Sequence, residues 1–87
     1  MEWFVYVLES QCQTRTYVGI SPDPETRLAQ HNGEEKGGAK STRAGRPWSV
    51  VKIYGAFESR AEAQRAEYSV KRLSGRARLA WTGFDDE

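Results

Sequence analysis

The chain has little that would staple it, span a membrane with it or give it a strong overall charge. One cysteine, Cys12, stands alone among 87 residues. That excludes an internal disulfide and a zinc site built on several thiolates. Such usage fits a reducing compartment, and a cytoplasmic location is the expectation. No apolar run approaches the ~20 residues that cross a bilayer. The first residues lack the basic stretch and apolar core of a secretory signal. No membrane partner is therefore expected. The net charge is only +1, which on its own says nothing for or against a polyanionic partner.

The distribution of charge says more. Residues 1–35 carry Arg15 and Arg27 against six acids, a net of −4. Residues 36–80 carry eleven Lys or Arg against Glu58, Glu62 and Glu67, a net of +8. Asp85, Asp86 and Glu87 then bring the total back down. A basic middle of this kind supplies the sequence-independent attraction that phosphate backbones offer. The competing reading is a set of solvated helix faces.

At this length there is room for one domain with a thin core. Trp3 to Glu9 is apolar on both faces, as in a strand inside a sheet. A short polar link, Ser10 to Thr14, leads to a second strand from Arg15 to Ile20. Asp23 as N-cap and Pro24 at the first helical position open a helix that runs to about His31, where Asn32-Gly33 ends it. Residues 33–47 form a long basic loop with four glycines, expected to be mobile. A third strand follows from Trp48 to Phe57. Ser59-Arg60-Ala61-Glu62 matches a capping box and opens a helix to about Leu73. Ser74 can cap a last short helix, Arg76 to Trp81, and residues 82–87 are expected to fray as an acidic tail. The order β-β-α-β-α-α predicts an α+β fold of α/β/α layers, with a small sheet covered by helices, in one domain over residues 1–81.

Several residues stand out against this frame. On the second long helix Ala63, Ala66, Val70 and Leu73 form an apolar stripe, and Glu67 falls within it. A carboxylate there needs an ion pair, a hydrogen bond or a metal, unless it lies at the exposed edge of the stripe. Arg27 and His31 are four apart and share a helix face. Arginine grips phosphate with a fixed charge, and histidine handles protons near neutrality. A histidine at a helix C-terminus also serves as a plain dipole partner. Tyr6 and Tyr17 lie on the two hairpin strands, and pairing Glu9 with Thr14 would set them face to face. Such a pair is commonly packing alone, but Gly19 two residues beyond Tyr17 is the kind of strand glycine that marks close approach of another backbone or a ligand. Lys40, Arg43 and Arg46 lie among small residues ahead of Trp48. They read as a basic arm for a phosphate backbone, with Trp48 a core residue or a stacking platform.

Taken in order, these residues resemble the GIY-YIG nuclease domain. Phe4-Val5-Tyr6 stands at the first motif and Tyr17-Val18-Gly19 at the second. The first motif keeps only its tyrosine and an apolar residue before it, with Phe4 in its glycine position. Arg27, His31 and Glu67 fall where the family keeps its helix arginine, its frequent histidine and its metal-binding glutamate. The Gly-Gly-Ala-Lys loop and the Arg-Pro-Trp entry to the third strand are most similar to two groups of members. One is the nuclease that cuts branched DNA in eukaryotes, and the other is a set of short stand-alone bacterial proteins. The resemblance spans Trp3 to Trp81.

The resemblance implies a three-stranded antiparallel sheet flanked by helices. It also implies a metal-dependent DNA endonuclease that uses Mg²⁺ or Mn²⁺, on single-stranded or branched DNA, in repair or recombination. By the same resemblance Tyr6, Tyr17, Arg27, His31 and Glu67 are the catalytic set, with Glu67 also the metal ligand. Lys40, Arg43, Arg46 and Lys71 are the expected nucleic-acid contacts. Many members carry a second DNA-binding or zinc-binding domain, and with none in these 87 residues the expectation is either low substrate selectivity or a partner protein that supplies it. The alternative is a non-catalytic nucleic-acid-binding module on the same fold. A third reading is a small interaction domain that binds no nucleic acid.

Overall fold

The computed structural model of the chain describes residues 1–83, and most of the expected acidic tail lies outside the described residues. Three strands form one antiparallel sheet in the order β2-β1-β3. The strands are β1 (Trp3–Ser10), β2 (Thr16–Ser21) and β3 (Trp48–Phe57). The strand that is apolar on both faces, β1, is the central one, as its sequence requires. Val5 and Val7 point to one face, and Tyr6 and Leu8 to the other, all of them buried. A slip of one residue would exchange these two sets, so the register is strongly specified.

Two helices cover opposite faces. The helix α1 is Pro24–His31, and α2 is Arg60–Lys71. Val5, Val7 and Val18 pack with Ala66 and Val70 of α2, joined by Tyr54 of β3. Tyr6, Leu8 and Trp48 form the second cluster, on which Tyr17, Leu28 of α1 and Val50 rest. The result is the expected α/β/α layering. Trp48 is 3% exposed and belongs to this core, so the stacking-platform reading of it is set aside.

Local chemistry explains the helix ends. The Asp23 carboxylate accepts from the Thr26 backbone N–H and hydroxyl, and Pro24 occupies the first helical position. The Ser59 hydroxyl accepts from Glu62 N–H. Glu62 reaches back to the N–H of Glu58, one residue before the position a capping box would use. The hairpin turn is folded by Ser10, whose hydroxyl accepts from the N–H groups of Cys12 and Gln13 and donates to Gly45 C=O.

The last expected helix, Arg76 to Trp81, is instead a 3-10 turn at Gly75–Leu79. Gly75 enters it with φ of +56°, and Ser74 makes no capping bond. The side chain of Arg78 organises this turn. It donates to the carbonyls of Leu73 (2.8 Å) and Lys71 (3.0 Å) and to the Thr16 hydroxyl (2.8 Å). One guanidinium therefore caps the C-terminal end of α2 and ties it to β2. The Arg78 carbonyl in turn accepts from the Tyr54 phenol at 2.5 Å, and the phenol oxygen accepts from Trp81 N–H at 3.1 Å.

Arg78→Ala should therefore lower the free energy of unfolding by about 2–3 kcal/mol, the scale of charge-assisted hydrogen bonds lost at part-buried carbonyls. Urea titration followed by tryptophan fluorescence measures this. A midpoint within error of the unsubstituted protein would contradict the capping role.

Candidate active site

The face of the sheet that carries Tyr6 also carries Leu8 on β1 and Tyr17 on β2. Tyr6 pairs with Gly19, and Tyr17 pairs with Leu8. The register is thus Glu9 with Thr16, two residues from the expected pairing, and the two tyrosines are diagonal neighbours instead of opposite ones. Their ring centroids are 6.4 Å apart. Gly19 is the neighbour that makes this arrangement possible. A Cβ built there would lie 2.5 Å from the Tyr6 hydroxyl oxygen, inside contact distance. What lies close to that glycine is the Tyr6 phenol, a side chain of the paired strand, where another backbone or a ligand was expected.

His31, at the end of α1, closes over both rings. Its centroid lies 4.7 Å from Tyr17 and 5.9 Å from Tyr6. It is fully buried, and its Nε2 is 2.9 Å from the Tyr6 hydroxyl. On the other side of the ring, Nδ1 is 3.0 Å from the Thr42 hydroxyl. Burial drives the His31 pKa down to about 4, helped by the nearby guanidinium groups of Arg27 and Arg46. The imidazole is therefore neutral at pH 7. Tyr6 moves the other way: burial raises its pKa, and the Arg27 guanidinium beside it only partly offsets this. Both shifts keep the proton on the phenol. Tyr17 is only half-buried, so it is the phenol that solvent can reach.

Arg27 is held by the loop that follows its helix. Its Nη1 donates to the Gln30 side-chain oxygen and to Gly37 C=O at 2.9 Å. The loop is pinned at many points along its length. Gly38 lies against the end of α1, where a Cβ would meet the Gln30 carbonyl oxygen at 2.3 Å. Glu34 and Glu35 donate to the Ala29 carbonyl. Asn32 clasps the backbone of Trp48 through both side-chain atoms, at 2.6 and 3.0 Å. A short 3-10 turn at Lys40–Thr42 lies between these anchors, with Thr42 buried. The loop expected to be mobile is thus hydrogen-bonded to its surroundings at several points.

Glu67 is the outlying member of the set. It sits on α2, the helix of the opposite face, yet its carboxylate contributes to the field on the Tyr6 phenol. It lies at the edge of the apolar stripe, its side chain 21% exposed, with Lys71 3.2 Å away. The carboxylate is thus ion-paired, with a lysine as its partner. Lys71 is half-exposed. Lys40 and Arg43 are exposed on the loop. Arg46 is partly committed, since its Nε donates to His31 C=O at 2.8 Å. Thr42, Gln30 and Asn32 had no role in the sequence reading. Only Asn32 left a trace there, as a helix stop.

Among the described residues no group of three His, Cys, Asp or Glu side chains could hold a metal between them. The donor set is one carboxylate open to water. That fits Mg²⁺, which keeps several waters and takes one or two carboxylates, and it does not fit a closed zinc site. No helix among the described residues is long and apolar enough to cross a membrane.

Comparison with known proteins finds similarity along most of the chain. The family profile described as "GIY-YIG catalytic domain" matches residues 2–80. A protein of Schizosaccharomyces pombe named structure-specific endonuclease subunit slx1 is 41% identical over 71 residues, covering 78% of this chain and 26% of that protein. The protein of that name from Cryptococcus neoformans is 40% identical over 85 residues, covering 94% of this chain and 18% of that protein. The chain thus spans about a quarter or less of the length of these relatives. The solution NMR structure of the UPF0213 protein BH0048 from Bacillus halodurans is 38% identical. It superposes with a TM-score of 0.49 over 88% of this chain and 78% of that one.

Two outcomes follow from the geometry. In the unfolded chain histidine titrates near 6.5, and in the fold His31 titrates near 4. The unfolded state therefore binds a proton that the native state excludes, and stability falls as pH drops from 6.5 to 4. The loss is as much as roughly 3 kcal/mol. Urea unfolding across that range should show this fall, and His31→Gln should flatten it; an equal slope in both proteins would contradict the buried neutral imidazole. Gly19→Ala should cost about 1–3 kcal/mol through overpacking against the Tyr6 ring. Thermal unfolding that leaves this variant as stable as the parent would contradict the close contact.

Proposed function

This chain belongs to the GIY-YIG family, and from that membership we propose that it is a metal-dependent DNA endonuclease that hydrolyses phosphodiester bonds. The proposed substrate is branched or single-stranded DNA, and the proposed setting is repair or recombination, in keeping with relatives named as structure-specific endonuclease subunits. The word subunit in those names also supports a partner protein that supplies selectivity. The nuclease domain is proposed to occupy residues 1–81 and to act in the cytoplasm. The single observation that carries the reading is the convergence of two phenols, a neutral imidazole and a guanidinium on one face of the sheet.

Each residue then has a role that suits its surroundings. Arg27, locked by Gln30 and Gly37, holds the scissile phosphate and offsets the charge that grows on it. Tyr17, the phenol open to solvent, takes the proton of the attacking water. A free phenol titrates near 10, so a cation beside it is needed to make it a base. Tyr6 keeps its own proton, given its raised pKa, and orients the water or the phosphate. His31 fixes Tyr6 from behind. Glu67 would hold Mg²⁺ or Mn²⁺, whose chemistry is to polarise a phosphate oxygen and stabilise the leaving oxygen. Occupation there would compete with Lys71 for the carboxylate. Lys40 and Arg43 would track the phosphate backbone, with Arg46 and Lys71 beside them despite their internal bonds.

Single-turnover cleavage by purified variants tests these assignments. Tyr17→Phe should slow cutting by about 10²–10⁴-fold, the usual worth of a general base. Arg27→Ala should cost about 10²–10³-fold. Glu67→Ala should abolish metal-dependent cutting while leaving DNA affinity within a few-fold. Full activity in Glu67→Ala would remove the metal role, and full activity in Tyr17→Phe would remove the proposed base.

A further inference from the structure

The hydrogen bonds around His31 settle where its proton sits, and the residue that decides it is Thr42. Thr42 is fully buried and fixed on both sides. Its carbonyl accepts from the Trp48 indole N–H at 2.9 Å. Its hydroxyl lies 2.7 Å from the Ala39 carbonyl oxygen, which can only accept. The single hydroxyl proton is therefore spent on Ala39. Toward His31 Nδ1, 3.0 Å away, the Thr42 oxygen has only lone pairs to offer. Nδ1 must then carry the imidazole proton. A neutral ring protonated at Nδ1 has a bare Nε2, so the Tyr6 hydroxyl at 2.9 Å donates to it.

The opposite tautomer has one contact in its favour, the Ala39 N–H at 3.4 Å from Nδ1. To accept it, Nδ1 would have to give up its donation to Thr42. Thr42 would then have to turn its proton from Ala39 to the ring, breaking the shortest bond of the group. The two shorter contacts outweigh the longer one.

The geometry points to Thr42 as a positioning residue: by fixing His31 with its proton on Nδ1, it commits the Tyr6 proton to Nε2 and leaves the phenol oxygen as an acceptor. That oxygen then has lone pairs for the Arg27 guanidinium beside it. Thr42 touches none of the reacting groups itself. Its effect on cutting rests on the nuclease reading above, whereas the tautomer does not.

His31 is the only histidine, so imidazole ¹⁵N labelling gives one unambiguous spin system. Long-range ¹H–¹⁵N correlation spectra at pH 7 should show Nδ1 protonated and Nε2 bare in the unsubstituted protein and in Thr42→Ser. Thr42→Val, similar in shape but without the hydroxyl, should shift the ring toward the Nε2-protonated form. It should also lower kcat by about tenfold or more, with KM for DNA within about twofold. Thr42→Ser should restore kcat. A protonated Nε2 in the unsubstituted protein overturns the assignment, and that spectrum decides even if Thr42→Val fails to fold. A shifted tautomer with unchanged kcat overturns the positioning role. If the unsubstituted protein cuts no DNA while its spectrum is as expected, the nuclease reading falls and the tautomer stands.

Discussion

The buried hydrogen bond between the Tyr6 phenol and His31 is the constraint around which this small protein is arranged. Burying two polar groups without partners would cost several kcal/mol in a domain with a narrow margin. The fold avoids that cost only if the end of α1 arrives over the middle of β1, with its imidazole Nε2 at the phenol oxygen. Everything nearby serves that approach. Gly19 leaves room for the ring, Thr42 satisfies the far nitrogen, and Asn32 fastens the end of the helix to the backbone of β3. The same contacts bring Arg27 and Tyr17 to one place, so the packing constraint and the candidate chemistry are not separable.

The layered architecture divides labour between the two faces. The face under α2 is a plain apolar core of Val5, Val7, Val18, Ala66 and Val70. The face under α1 mixes core residues, Leu8 and Trp48, with the polar cluster. Glu67 comes from the apolar side and contributes at the margin, where its carboxylate is accessible and paired with Lys71. A group at that margin can exchange its partner without disturbing the core, which suits the proposed metal-binding role. The phenols differ in the same sense. One is sealed in and keeps its proton, while the other faces solvent.

Much of this could be read from the chain itself, and the exceptions have a common physical cause. The doubly apolar run of β1 announced a central strand, and Asp23-Pro24 announced the start of α1, because both depend on local periodicity or capping. Tyr6, Tyr17, Arg27 and His31, which lie together, and Glu67 at the margin are singled out by family resemblance together with spacing. The pairing of Tyr6 with Gly19 was not legible, since no residue between Ser10 and Thr16 dictates a turn type. It is set by the Ser10 hydroxyl and by burial on the two faces. Thr42 and the anchoring of the glycine-rich loop were equally hidden. Their bonds join segments distant in sequence, and a run of Gly, Lys, Ser and Arg carries no periodic sign of them. The last helix failed for a related reason: the Arg78 side chain, reaching back to α2, governs that segment more strongly than its own propensity.

The activity proposed for this cluster is cleavage of phosphodiesters with the aid of a divalent cation. Incubating the purified chain with labelled single-stranded, duplex and branched DNA, in Mg²⁺, in Mn²⁺ and in EDTA, measures that directly. Cleavage products that appear with either metal and vanish with EDTA are the predicted result. A mobility shift without any cleavage in all three conditions would contradict it and identify a binding module on a nuclease fold.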